Sequence, residues 1–338
     1  MNARGVSTQT QSLSGQPDLQ WIRNQPKADL HLHLLGAIRP KTALELGRKY
    51  SKPFPFDDPE EFPGWFQDGD LSTFVLRFIH LFEIVRTSED FERVAVEAFE
   101  DLAKDGVHYA EPRVTMTSHL ARGVTRKTMS EALSAASRFA ESSLGLEIGW
   151  VIDFPRTLGV EIGSRALEEA IAGRDWGVVG FDMAGDEPVG EEDDQLKELF
   201  QNAKESGLGV SVHAGEVGPP AHVRKAVEDL KADRIGHATR AVEDPEVVQL
   251  LAEKAVPVEI CISSNRALGG LESIAEHPVE TFRKAGIPVC LCTDDPSLFG
   301  TTLSGEIYDA ARTFGWSKET VEEVIQNSWK HRFGPKGK

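Results

Sequence analysis

Residues 209–238 read GVSVHAGEVGPPAHVRKAVEDLKADRIGHA. The run 209–213 is strand-like, and Pro219-Pro220 opens a helical pattern over 220–231. There Val223, Ala226, Val227 and Leu230 recur at three- and four-residue spacing, the apolar stripe of an amphipathic helix. A second strand-like run follows at 234–238. Strand, helix and strand in this compass make one βαβ unit, and a helical crossover is what parallel strands require.

The same alternation runs outward in both directions. Strand-like runs at 28–34, 107–114, 147–155, 178–184, 257–263 and 288–293 bring the total to eight. Helical patterns at 127–144, 160–173, 194–207 and 244–254 lie between them. Gly173, Gly207 and Gly286 stand where helix C-caps belong. The reading is an α/β chain folded as a (β/α)8 TIM barrel, with an open doubly wound sheet as the alternative. Residues 35–106 interrupt the rhythm and predict a helical insertion after strand one, over the active-site face. Within it Phe74, Phe78 and Phe82 stand at i, i+4, i+8, either packed on the core or forming a flap over a pocket. Residues 1–24 are expected to be a disordered tail, and 25–338 a single domain.

The 338 residues carry 37 Lys+Arg against 54 Asp+Glu, a formal charge of −17. Such a chain repels phosphate backbones and anionic lipid, which argues against nucleic-acid and membrane partners. No run reaches the roughly 20 apolar residues of a membrane helix. The polar start has no secretory h-region. Cys261, Cys290 and Cys292 are too few for a disulfide framework and suit a reducing, cytoplasmic compartment. The oligomeric state is not legible.

Polar residues collect where the strands end. Strand one carries His31 and His33, strand two Glu111 and Arg113, and strand three Asp153. Strand four runs Asp182 to Glu187, strand five ends His213-Ala214-Gly215-Glu216, strand six His237, and strand eight Asp294-Asp295-Pro296. In a (β/α)8 barrel these C-terminal ends converge on one face, where active sites sit. Side chains at i and i+2 of a strand share a face, so His31 and His33 point inward together. With His213 and Asp294 they make an N₃O set suited to Zn²⁺. Glu216 and His237 are the candidate acid and base. Asp295 would face a substrate or a bound water.

Four motifs carry a resemblance. They are Asp29-Leu30-His31-Leu32-His33-Leu34-Leu35-Gly36, Ser211-Val212-His213-Ala214-Gly215-Glu216, Arg234-Ile235-Gly236-His237-Ala238-Thr239 and Cys292-Thr293-Asp294-Asp295-Pro296. In this order they resemble the adenosine/AMP deaminase family of the amidohydrolase superfamily. The resemblance implies one Zn²⁺ per chain on His31, His33, His213 and Asp294. It also implies that Glu216 protonates purine N1, that His237 takes a proton from the attacking water, and that Asp295 and the Gly185 amide meet N7 and N3. Phe74 and Phe78 fall where the family has an apolar gate helix, and His33 would also touch the substrate. The expected reaction is hydrolytic deamination of a 6-aminopurine nucleoside to its 6-oxo product. The family often places an acidic residue where Leu35 stands, reading the ribose 5′-hydroxyl. Leu35 therefore points to a 5′-modified adenosine, such as aminodeoxyfutalosine, 5′-deoxyadenosine or methylthioadenosine. Adenine deamination, or another zinc amidohydrolase acting on a different cyclic substrate, is the alternative. A binding-only relative is disfavoured by the intact ligand set and proton donor.

Overall fold

A computed structural model describes residues 16–187, 195–269 and 271–334. Its strands are β1 (Lys27–His33), β2 (Val107–Val114), β3 (Glu147–Ile148), β4 (Trp150–Pro155), β5 (Val178–Ala184), β6 (Gly209–Ala214), β7 (Arg234–His237), β8 (Val258–Ile260) and β9 (Val289–Leu291). Paired neighbours run in the order β1-β2-β4-β5-β6-β7-β8-β9, all parallel, with β3 a spur on β2. The ends of this path meet through residue 294, just past β9. Its N–H donates to His31 O at 2.8 Å, and its carbonyl accepts from His33 N–H at 2.7 Å. The result is the expected TIM barrel, with helices packed around it.

The run expected at 147–155 is split at Gly149. A Cβ there would lie 2.6 Å from the Tyr109 hydroxyl and 2.7 Å from Val179, so only glycine lets the strands approach. The run expected at 257–263 is shorter too: β8 stops at Ile260, and Ile262–Leu268 is helical. Part of the expected tail is ordered, because Leu19–Arg23 forms a helical turn. Asp18 caps it by accepting the Trp21 N–H at 2.8 Å, and Ile22 is fully buried beneath. Residues 1–15 lie outside the described residues.

The insertion after β1 holds helices Pro40–Lys49, Phe62–Gln67, Leu71–Ile84 and Ser88–Lys104. Asp70 caps the third, and Phe74 and Phe82 are buried under it. Apolar side chains fill the layer between the sheet and the outer helices, but the barrel interior is charged. Glu259 accepts from Arg113 at 2.7 Å and from Arg234 at 2.5 Å; Arg113 also donates to Asp182, and Arg234 pairs with Glu111. At the N-terminal end of the barrel the chain folds back over these charges. Arg234 donates to His331 O at 2.8 Å and stacks 3.5 Å from the centre of the Phe333 ring. No helix among the described residues is long and apolar enough to cross a membrane.

Candidate active site

Alternation along β1 puts His31 and His33 on one face, β6 supplies His213, and Asp294 comes from the turn after β9. One ligand atom from each of the four lies within 4.8 Å of the others. Asp294 Oδ1 is 3.3 Å from His31 Nε2 and 3.4 Å from His33 Nε2. Each ring is backed on its other nitrogen by a carboxylate. Glu259 is 2.8 Å from His31 Nδ1, Asp182 is 3.0 Å from His213 Nδ1, and Asp153 is 3.5 Å from His33 Nδ1.

Burial alone would raise the Glu259 carboxyl, but Arg113, Arg234 and His31 hold it well below the usual carboxylate range. An ionised Glu259 can only accept, so His31 carries its proton on Nδ1. That leaves a lone pair on Nε2, which is buried and has no hydrogen-bond partner. His31, with the His33 and His213 rings and the Asp294 carboxylate around the same point, forms an N₃O donor set that fits a divalent metal of the zinc type. His237, Cys261 and Asp294 are also mutually close. Burial pushes the Cys261 thiol far above its ordinary value, so it offers no thiolate.

Beside this cluster stand two carboxyls in the opposite electrostatic state. Glu216 is buried, and burial together with the charges of Asp294 and Glu187 pushes its carboxyl up to about 8. Asp295 is raised well above its ordinary value by burial and by Asp294. Both are thus shifted toward the neutral acid, the form that can donate a hydrogen bond where an ionised carboxylate could only accept. Asp295 has room because of Gly36, where a Cβ would fall 1.8 Å from Asp295 Oδ1. Glu187 fixes the Glu216 loop by accepting the N–H groups of Gly215, Val217 and Gly218 at 2.5, 2.7 and 2.7 Å.

His237 and Asp294 both sit in left-handed backbone, at φ +64° and +61°. Such conformations cost about 1–3 kcal/mol each away from glycine and gather at functional sites. A hydrogen-bond relay then sets the His237 tautomer. The Val279 N–H donates to His277 Nδ1 at 3.1 Å, so that nitrogen is an acceptor. Burial and the neighbouring His237 push His277 down to about 3, so the ring is neutral and carries its proton on Nε2. That proton meets Asn265 Oδ1 at 3.1 Å, which turns the Asn265 amide nitrogen toward His237 Nδ1 at 3.0 Å. His237, itself shifted down by burial, keeps its proton on Nε2, the nitrogen 3.7 Å from Glu216. The resemblance implies that His237 takes a proton from the attacking water; in this hydrogen-bond sense the ring presents an Nε2–H donor toward Glu216.

A cavity of about 360 Å³ opens over these groups. His33, Gly185, Glu216 and Asp295 line its inner end, and Phe74 and Phe78 its apolar wall. The Phe78 ring meets His33 edge-on with centres 6.2 Å apart. The stripe on Leu71–Ile84 is thus buried and pocket-lining at once. Leu35 is a correction: it is buried in the apolar core and is not among the residues lining the cavity.

The model of one protein family, adenosine deaminase, matches residues 26–338. The chain belongs to the adenosine deaminase family. It is 33% identical to an aminodeoxyfutalosine deaminase of Streptomyces coelicolor over 309 residues, 91% of this chain and 80% of that protein. It is likewise 33% identical to an adenosine deaminase of Mycobacterium ulcerans over 340 residues, 95% of this chain and 94% of the other. Among solved structures it is similar to an adenine deaminase of Arthrobacter aurescens, with a TM-score of 0.85 and 27% identity across 92% of this chain and 94% of that one. As a member of the adenosine deaminase family the protein is a hydrolase acting on carbon–nitrogen bonds, with hydrolytic deamination as the family's chemistry, and its buried His/Asp cluster is a group that could hold a metal ion. Asn265, His277 and Glu259 escaped the sequence reading. Asn265 was visible only as a polar residue after a strand, and nothing local marks the other two.

Proposed function

We propose that the protein is a zinc-dependent hydrolase that deaminates a 6-aminopurine nucleoside modified at the 5′ carbon, releasing ammonia and the 6-oxopurine. The observation that supports this most is the pair of neutral carboxyls, Glu216 and Asp295, facing one cavity beside the His/Asp cluster. Purine N1 and N7 are both acceptors, and a neutral acid can donate to each.

In this reading His31, His33, His213 and Asp294 hold one zinc. Zinc, when bound, supplies the Lewis acidity that lets water lose a proton near neutral pH. The chain's own residues do the rest. Glu216 passes its proton to N1 as C6 becomes tetrahedral, cancelling the negative charge that would otherwise develop on the ring; the carboxylate so formed then takes the proton of the attacking oxygen and hands it to the amine, which leaves as ammonia. Asp295 donates to N7 and fixes the plane of the base. Gly185, at φ +91°, lines the cavity where its N–H would meet N3. His237 Nε2–H holds the attacking oxygen by donating to it. Phe74 and Phe78 exclude water from the purine face.

A 5′-modified nucleoside is favoured over the free base because the cavity continues past the purine site to Thr115, Ser118 and Arg122. With Leu35 outside the cavity, its apolar side chain does not itself choose the 5′ substituent. The test is the change in ultraviolet absorbance as adenine-type rings become hypoxanthine-type, measured with adenine, adenosine and 5′-deoxyadenosine. Higher kcat/KM for 5′-deoxyadenosine than for adenine and adenosine supports this reading. Preference for adenine would make the protein a base deaminase, and no turnover of any of them would refute the proposal.

A further inference from the structure

At the end of the barrel away from the active face, residues 331–334 close the mouth, and the sheet carries a seat for them. Gly180 of β5 and Gly209 of β6 are register partners. A Cβ on Gly180 would lie 2.7 Å from the Phe333 ring, and one on Gly209 would lie 2.1 Å from it. Glycine inside a strand weakens it and marks close approach by another group. Two of them side by side form a notch, and the Phe333 ring fills it.

The same segment covers the outermost charges of the barrel interior. The centre of the Phe333 ring is 3.5 Å from the Arg234 guanidinium carbon, and His331 O accepts from Arg234 at 2.8 Å. The Phe333 N–H donates to Glu111 at 2.5 Å. The Gly334 N–H donates at 2.9 Å to the Tyr109 hydroxyl, which itself donates to Glu111 at 2.8 Å. Arg234 is 1% exposed and Glu111 fully buried. A cation kept dry beneath an aromatic face is held more firmly than one in water.

Arg234 passes this restraint inward. Its Nε donates to Glu259 Oε1 at 2.5 Å, while Oε2 of the same carboxylate accepts from Arg113 at 2.7 Å and from His31 Nδ1 at 2.8 Å. One oxygen anchors the carboxylate, and the other orients the His31 ring. The Ser211 hydroxyl also reaches Oε1, but at 3.3 Å and shared with Oε2. With Arg234 loosened, the carboxylate is free to turn, and His31 Nε2 loses its fixed aim at the point it shares with His33, His213 and Asp294.

We propose that Phe333 is a positioning residue for the metal site: seated in the notch of Gly180 and Gly209, it holds Arg234 against Glu259 and so keeps His31 aimed at the metal. The inference rests on the reading of the His/Asp cluster as a zinc site. It does not depend on which substrate is deaminated.

The experiment titrates Zn²⁺ onto metal-free protein in competition with a chromogenic chelator, at a temperature where circular dichroism shows each variant folded. Phe333→Ala is expected to raise the zinc dissociation constant about tenfold, the lower end of the range for disturbing the group behind a ligating histidine. Phe333→Leu, which fills the notch without an aromatic face, should shift it the same way by less. Should Phe333→Ala not fold, the Phe333→Leu shift decides. In a Glu259→Gln background Phe333→Ala should weaken zinc no further, because the restraint runs through that carboxylate. A merely structural plug would lower the melting temperatures of metal-free and zinc-loaded protein alike and leave the dissociation constant unmoved. That result, or a full tenfold loss with Glu259→Gln present, would overturn the role of Phe333 while leaving the zinc reading in place. Wild-type protein that takes up no zinc would overturn both.

Discussion

Glu216 is the residue on which the chemistry turns, and its protonation has a definite sign. Its carboxyl stands at about 8 without a metal, because burial and the negative charges of Asp294 and Glu187 disfavour ionisation. A bound cation would pull it down from there, since positive charge nearby favours the carboxylate. The acid must hold its proton to deliver it, so kcat/KM of the metal-loaded enzyme should fall as pH rises through a value below this one. Glu216→Gln should keep its metal content, remove the alkaline limb, and lower kcat by roughly 10²–10⁴-fold. A variant that kept a tenth of wild-type kcat, or an unchanged alkaline limb, would assign the proton to another group. The His-x-His of β1 was legible because strand periodicity places it, and the carboxyls after β6 and β9 because strand ends of a barrel converge on one face. The sense of His237 was not. It depends on Val279, His277 and Asn265, three residues that meet only once the Ile262–Leu268 and Val279–Lys284 helices are in place.

Those helices illustrate how far element boundaries follow from pattern. The eight-strand rhythm and the insertion after β1 were readable from apolar spacing, but the end of β8 was not. Residues 261–263 look like strand, yet the chain turns into the Ile262–Leu268 helix, whose first turn is bound from the side. Glu306, on the Leu303–Phe314 helix, accepts the Ser263 N–H at 3.2 Å and the Thr301 hydroxyl at 2.7 Å. Burial overrides these two bonds and lifts the Glu306 carboxyl from 4.5 to about 7. The folded state thus binds this proton more tightly than the unfolded chain does. The stabilisation it brings is complete below pH 4.5 and is lost as pH rises through 7. Glu306→Gln mimics the protonated form, so its melting temperature relative to wild type should climb between pH 5 and 8, as read by thermal denaturation. A difference that stays constant over that range would show that Glu306 is already ionised at pH 5.

Across the whole molecule, the metal site is joined to the opposite end of the barrel by buried charge. His31 leans on Glu259, Glu259 on Arg234, and Arg234 on the carbonyl of His331 and the ring of Phe333. Removing the metal should therefore be felt far from the active face. With free zinc at 100 times its dissociation constant, binding to the folded state alone adds about 2.7 kcal/mol. Chelation should lower the melting temperature and abolish turnover, and added zinc should restore both. Full activity or an unchanged melting temperature in metal-free protein would exclude zinc from the roles given to it here. This charged interior was invisible in the sequence, where Glu111, Arg113, Arg234 and Glu259 are scattered acids and bases with no common motif.

The junction at residue 294 carries a liability of its own. β9 and β1 are joined by two backbone hydrogen bonds to a residue whose backbone is left-handed and whose side chain belongs to the metal set. A closed barrel escapes aggregation because it shows no strand edge, and this one is fastened by the backbone of Asp294 and by the Thr293 hydroxyl, which donates to Asp29 at 2.6 Å. Zinc starvation would slacken that fastening and bare the flanks of β1, with Leu30 and Leu32, and of β9, with Val289 and Leu291, to other copies of the chain. Metal-stripped protein should then exchange the His33 and Asp294 amide protons ahead of those in β5 and β6, and turn cloudy on warming before its helices melt.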